Sequence, residues 1–242
     1  MNDVTTIEKR KQGQKPSAKG VRVHPVIMSQ QPRIRAYNCD CMEILKATAT
    51  NEYDLAITDP PYGVEKITGK EFSHGRGKLK NRALNQAHKK INKWDTPPKK
   101  EYFEQLIRIS KNQIIWGGNY FDLPKYRCPI VWDKCQPWEN FSQVEIAWTS
   151  LNKPAIIYKY DNRTGNKIHP TQKPVSLYRF LLNRCAKAGQ TILDTHGGSF
   201  SLAVACHEEN FDLDIIEIDE EYFNNGVERF KRETRQTKLF QI

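Results

Sequence analysis

The stretch 191-TILDTHGGSFSLAVACHEENFDLDIIEID-219 decides the architecture. Thr191–Asp194 is an apolar run too short for a helix, and Gly197 and Gly198 mark a turn after it. Phe200–Asn210 carries apolar residues at helical spacing, and Leu213–Glu217 is again a short buried-type run. Parallel strands need a long crossover, and strand–turn–helix–strand supplies one. A last helix is expected over Glu220–Lys231.

Working outward, the same alternation recurs. Pro174, a proline at a helix start, opens a helix to about Lys187, closed by Gly189. Strands are expected at Ile34–Tyr37, Glu52–Thr58, Gln113–Trp116, Pro129–Asp133 and Val144–Thr149, with helices at Cys41–Ala49 and Lys99–Ser110. Pro60 and Pro61 stop the strand that ends at Thr58. Tyr158–Ile168 is polar and reads as a loop. The expectation is an α/β fold, a Rossmann-like, doubly wound and mostly parallel sheet without internal repeats.

The chain of 242 residues suits one sizeable domain. Residues 1–30 are polar and basic and read as a flexible arm. Residues 31–242 form the single domain, with a basic insertion at about 63–100 and short loops at about 135–168. Between Gly63 and Lys100 eleven Lys or Arg face three acids, densest at Lys78, Lys80, Arg82, Lys89 and Lys90. Such a run is either a solvated face or a phosphate-contacting surface. A net charge of +10 favours a polyanionic partner, nucleic acid being the usual one. The six cysteines lack CxxC pairing, and no histidine cluster lies near Cys39 and Cys41, so neither a metal site nor a disulfide framework is expected. No window suggests a membrane span or an N-terminal secretion signal, which points to the cytoplasm.

Asp59-Pro60-Pro61-Tyr62 follows a buried strand directly. The carboxyl ends of strands are where open α/β sheets bind ligands. Two prolines remove two N–H donors and leave carbonyls free to accept. A carboxylate beside such a carbonyl suits an amino group with two hydrogens, and the aromatic ring can stack on a planar base. The alternative is an ordinary proline turn capped by aspartate.

The tetrapeptide resembles the catalytic motif of the DNA amino-methyltransferases. Members acting on adenine N6 tend to carry Asp first, and those acting on cytosine N4 more often Ser. The resemblance implies the class I S-adenosylmethionine-dependent methyltransferase fold, with S-adenosyl-L-methionine as cofactor. Double-stranded DNA is the implied partner, its target adenine flipped out and methylated directly. Asp194-Thr195-His196-Gly197-Gly198-Ser199 resembles the family's cofactor turn, and Glu217 ends the next strand. The resemblance gives Asp194 the methionyl amino end, Glu217 the ribose, and Asp40 the cofactor's adenine. By itself Asp40 reads as a helix N-cap before Cys41.

His169-Pro170-Thr171-Gln172-Lys173-Pro174 resembles the segment before the family's first cofactor-side helix, with Lys173 facing the methionine carboxylate. His169 is equally well a turn residue. Catalytic motif first and cofactor turn last is the circularly permuted β-type order, closest to small phage or mobile-element adenine methylases. Phe200 departs from the family, standing where a second glycine is usual. It either begins the helix and packs into the sheet or narrows the pocket.

The short 135–168 region leaves target recognition to shared loops or to a second copy in a homodimer. The chain fixes no recognition sequence and no restriction endonuclease partner. The rival readings are an N4-cytosine or RNA methyltransferase, and an inactive nucleic-acid-binding relative.

Overall fold

A computed structural model describes residues 15–16, 22–63, 96–136, 142–161 and 172–236. Its strands are β1 (Lys15–Pro16), β2 (Arg22–Val23), β3 (Val26–Gln30), β4 (Arg33–Asn38), β5 (Tyr53–Thr58), β6 (Ser110–Trp116), β7 (Ile130–Asp133), β8 (Val144–Thr149), β9 (Ile156–Lys159), β10 (Thr191–Asp194) and β11 (Asp212–Glu217). The helices are α1 (Cys41–Ala47), α2 (Lys100–Ile109), α3 (Val175–Cys185), α4 (Ser201–Glu208) and α5 (Glu220–Gln236).

The main sheet runs β3-β4-β11-β10-β5-β6-β8-β7-β9. Its centre, from β4 to β6, is parallel throughout. The edge strand β3 is antiparallel to β4, and β8 is antiparallel to both β6 and β7. One face buries Leu177, Leu181, Leu202, Val204, Phe223 and Phe230 from α3, α4 and α5. The other buries Ile44 and Leu45 of α1 with Tyr102, Phe103 and Leu106 of α2. Three layers result, α/β/α, because each helix carries one apolar stripe and the sheet two apolar faces.

The strand order places the site. From β5 the chain steps through α2 to β6 on one side, whereas from β10 it steps through α4 to β11 on the other. Neighbours β5 and β10 are therefore a topological switch point, where the loops at the strand ends diverge and leave a crevice. Asp59 leaves β5 and Thr195 leaves β10 at that crevice.

Four expectations need correction. The N-terminal arm does not extend to residue 30, since Val26–Gln30 pairs with β4. Val26 and Ile27 stay more than 40% exposed, so burial alone gave no signal for this strand. Tyr158 and Lys159 are strand rather than loop, paired with Trp132 and Asp133; that pairing is long-range and one-sided, with Ile157 exposed. β6 starts at Ser110 directly out of α2, where Ser110 Oγ donates back to the Leu106 carbonyl and caps it. α5 runs past Lys231 to Gln236, helped by the Arg229–Glu233 pair at i,i+4.

Candidate active site

Two half-sites meet at the crevice, one after β5 and one after β10. A buried polar node joins them. Thr58 Oγ1 lies 2.6 Å from Thr195 Oγ1, the Tyr102 hydroxyl lies 2.7 Å from Thr195 Oγ1, and His196 Nδ1 lies 2.9 Å from the same oxygen. Burial pushes His196 down to about 4, so its ring is neutral near pH 7. Thr195 and His196 tie one half-site to the other.

In the β5 half-site, Asp59 accepts a hydrogen bond from the Tyr62 hydroxyl at 2.6 Å. Its other oxygen lies 2.5 Å from Lys173 Nζ. Lys173 also pairs with Glu145 at 3.1 Å, and Glu145 with Lys134 at 2.7 Å. The ammonium sits over the Trp116 ring, 5.1 Å from its centroid. The Lys173 side chain is only 2% exposed, whereas that of Asp59 keeps 19%. Burial works against the lysine charge, but Asp59 and Glu145 outweigh it and hold the ammonium above its ordinary value. Burial likewise pushes Glu145 up, and Lys173 and Lys134 outweigh it. Tyr62 is half-buried, stacked on Tyr120 with centroids 5.3 Å apart. Burial and then Asp59 raise its hydroxyl well above the usual range, so it remains a donor.

In the β10 half-site, Asp194 is 4% exposed and accepts the His196 N–H at 3.0 Å. Burial pushes its carboxyl up to about 8. Glu217, at the end of β11, accepts from Gly198 N–H at 2.7 Å and Asp219 N–H at 2.9 Å. Its burial raises it, and those N–H groups oppose the rise. Asp40 caps α1, accepting from Met42 N–H at 2.9 Å. It follows β4, whose Asn38 is in register with Glu217. Ser199 Oγ pairs with Ser201 at 3.1 Å.

Phe200 is fully buried and begins α4 in the left-handed region, at φ 59°. Its ring lies against Gly226 of α5 and edge-on to Phe223. The ring therefore fills the space between α5 and the turn, where a β-carbon at Gly197 would also come 2.7 Å from it.

The structure thus gathers Asp59, Pro60, Pro61 and Tyr62 at one strand end and Asp194–Ser199 with Glu217 at the next. Lys173, which the resemblance sets facing the methionine carboxylate, pairs with Asp59 and Glu145 in the β5 half-site. Lys78, Lys80, Arg82, Lys89, Lys90 and His169 lie outside the described residues. Sequence reading missed Glu145, Trp116, Tyr102 and Tyr120. Only Glu145 left a trace, an acid inside the apolar run of β8. Among the described residues no cluster of His, Cys, Asp or Glu could hold a metal ion, and no helix is long and apolar enough to cross a membrane.

Residues 131–228 match a family model described as DNA methylase. The matched span includes Glu145, Lys173, the glycine turn and Glu217 and begins after Asp59. The type II methyltransferase M.HpaI of Haemophilus parainfluenzae is 23% identical over 236 residues, covering 80% of this chain and 73% of that protein. Among solved structures, the M1.HpyAVI–SAM complex superposes with a TM-score of 0.52 at 20% identity, over 81% of this chain and 99% of that one. The cytosine-N4-specific PvuII DNA methyltransferase gives 0.52 at 13% identity, over 84% and 92%. The fold is that of the class I methyltransferases.

Proposed function

We propose that this chain, which is similar to the DNA methylases, transfers a methyl group from S-adenosylmethionine to the N6 amino group of adenine in duplex DNA. One observation carries the reading. Asp59 directly follows β5 at the switch point with part of its side chain still exposed, beside the glycine turn that follows β10.

The β10 half-site fits the cofactor. Asp194 is a buried carboxylate to which no cation pairs directly among the described residues, and an amino group supplies that charge. Each Glu217 oxygen holds one backbone N–H and can accept again, as two ribose hydroxyls require. Asp40 lies next along the same strand ends for the cofactor's adenine. Thr195, His196, Gly197, Gly198 and Ser199 form the turn between these acids. Bound there, S-adenosylmethionine supplies an electrophilic methyl on a sulfonium centre.

The other half-site prepares the acceptor. Asp59 accepts one N6 hydrogen and the Pro60 carbonyl the other, drawing the nitrogen toward tetrahedral geometry and localising its lone pair. Positive charge that grows on N6 as the methyl–sulfur bond breaks would be stabilised by the Asp59 carboxylate, with S-adenosylhomocysteine leaving as a neutral thioether and the surplus N6 proton passing to solvent. Holding two reactants in line supplies much of the acceleration. The flipped base stacks on Tyr62 where Tyr120, 47% exposed, gives way. No covalent intermediate with the protein is needed, so none of the cysteines acts as a nucleophile.

Asp59 is what favours adenine over cytosine N4, since the fold is common to both. Lys78, Lys80, Arg82, Lys89 and Lys90 supply phosphate contacts, so DNA affinity should fall steeply with salt and less steeply after neutralising them. The test of the reading is Asp59→Ala: transfer should be lost with S-adenosylmethionine binding intact, and retained transfer would sink it.

A further inference from the structure

The β5 half-site contains a charge that the proposed transfer does not use. Asp59, Lys173, Glu145 and Lys134 form an alternating chain with contacts of 2.5, 3.1 and 2.7 Å. A cation 2.5 Å from Asp59 would cancel much of the field that the carboxylate offers to a neighbouring group. Desolvation makes this worse, because the Lys173 side chain is only 2% exposed. Glu145 is the counterweight. With it, the four side chains are neutral as a group; without it, two cations face one carboxylate.

We propose that Glu145 is a positioning residue for Asp59: by neutralising Lys173 it lets that lysine hold the Asp59 carboxylate in place without extinguishing its negative field. The inference rests on the methyl-transfer reading above. Lys173 fixes one Asp59 oxygen and the Tyr62 hydroxyl the other, at 2.6 Å. A carboxylate has roughly four acceptor positions, so both contacts can persist while an amino hydrogen is accepted. The exposed part of Asp59 gives that hydrogen access. Positive charge growing on the acceptor nitrogen then meets a carboxylate whose nearest cation is already balanced.

Four proteins test this: wild type, Glu145→Gln, Lys173→Met and the double variant. Each is assayed with labelled S-adenosylmethionine on unmethylated duplex DNA of mixed sequence, by cofactor titration, and by thermal melting. Glu145→Gln should bind S-adenosylmethionine within about twofold of wild type and lose about 10- to 100-fold in kcat, the scale on which misplaced electrostatics acts at a reacting centre. Lys173→Met should melt lower, since two half-buried carboxylates then lose the cation between them. The double variant should melt above Lys173→Met and turn over faster than Glu145→Gln, a recovery that two merely structural defects would not give. An unchanged kcat in Glu145→Gln, or a double variant carrying the product of both losses, overturns the inference alone. If Glu145→Gln does not fold, the double variant decides, with activity within about tenfold of wild type in support and abolition against. A wild type that methylates neither this DNA nor RNA overturns the methyl-transfer reading and the inference with it.

Discussion

The ring of Tyr62 lies across Gly117 so closely that a β-carbon there would sit 2.2 Å from a ring carbon. Gly117 also has φ 68°, in the left-handed region. Gly117→Ala should therefore displace Tyr62 from Asp59 while leaving the β10 half-site alone. Methyl transfer should fall at least about tenfold, as small misplacements near a reacting centre do, with cofactor affinity unchanged by calorimetry. Undiminished transfer would show that the position of the Tyr62 ring is unimportant.

With Asp194 as the proposed partner of the cofactor's amino group, cofactor binding should depend on pH. Burial raises its carboxyl from 3.8 to about 8 in the free protein, and an ammonium ligand favours the ionised form. Below pH 8 binding must therefore expel a proton, so affinity should strengthen as pH rises from 6 to 7.5, by up to about tenfold per pH unit. The free protein should behave oppositely. A folded-state value above the unfolded one favours the folded state at low pH, and that contribution is lost as pH rises from about 4 through about 8. Asp194→Asn should flatten both dependences, which titrations in buffers of different ionisation enthalpy can measure.

Phe200 and Gly226 are a matched pair. A β-carbon at Gly226 would come 2.5 Å from the Phe200 ring. An alanine in the middle of an exposed helix usually stabilises it by about 1 kcal/mol over glycine. Here overpacking should win, and Gly226→Ala should destabilise by about 1–3 kcal/mol in chemical denaturation. A stabilised Gly226→Ala protein would contradict the packing described for Phe200.

The node around Thr195 predicts a coupling between half-sites. Tyr102→Phe removes one partner of Thr195 Oγ1, which lies 2.7 Å away, and leaves Thr58 at 2.6 Å. The loss should be about 1 kcal/mol of stability, the net value of one buried hydrogen bond. Thr195→Val removes the shared centre and should cost more, with both read from denaturant midpoints.

Much of the parallel core was legible because local pattern and burial agree there. LDIIE of β11 and EYDLAIT around β5 are runs of strand length rich in apolar residues, the second stopped by Pro60 and Pro61. Edge strands were not legible. β3 and β9 owe their pairing to residues elsewhere and expose Val26, Ile27 and Ile157. At the site, Asp59 and Asp194 stood out because a polar residue ends an apolar strand. The placement of Lys173 did not, because its partners Asp59 and Glu145 are distant in sequence and meet only when β5 and β8 take their places in the sheet. The role of Phe200 was hidden for the same reason, its complement Gly226 being a helix away.

The most direct test of the central claim is nucleoside analysis of unmethylated duplex DNA after incubation with labelled S-adenosylmethionine and the wild-type protein, with Asp59→Ala alongside. The account predicts label in N6-methyladenine for the wild type and none for the variant. Label in N4-methylcytosine, or equal label with both proteins, would contradict it.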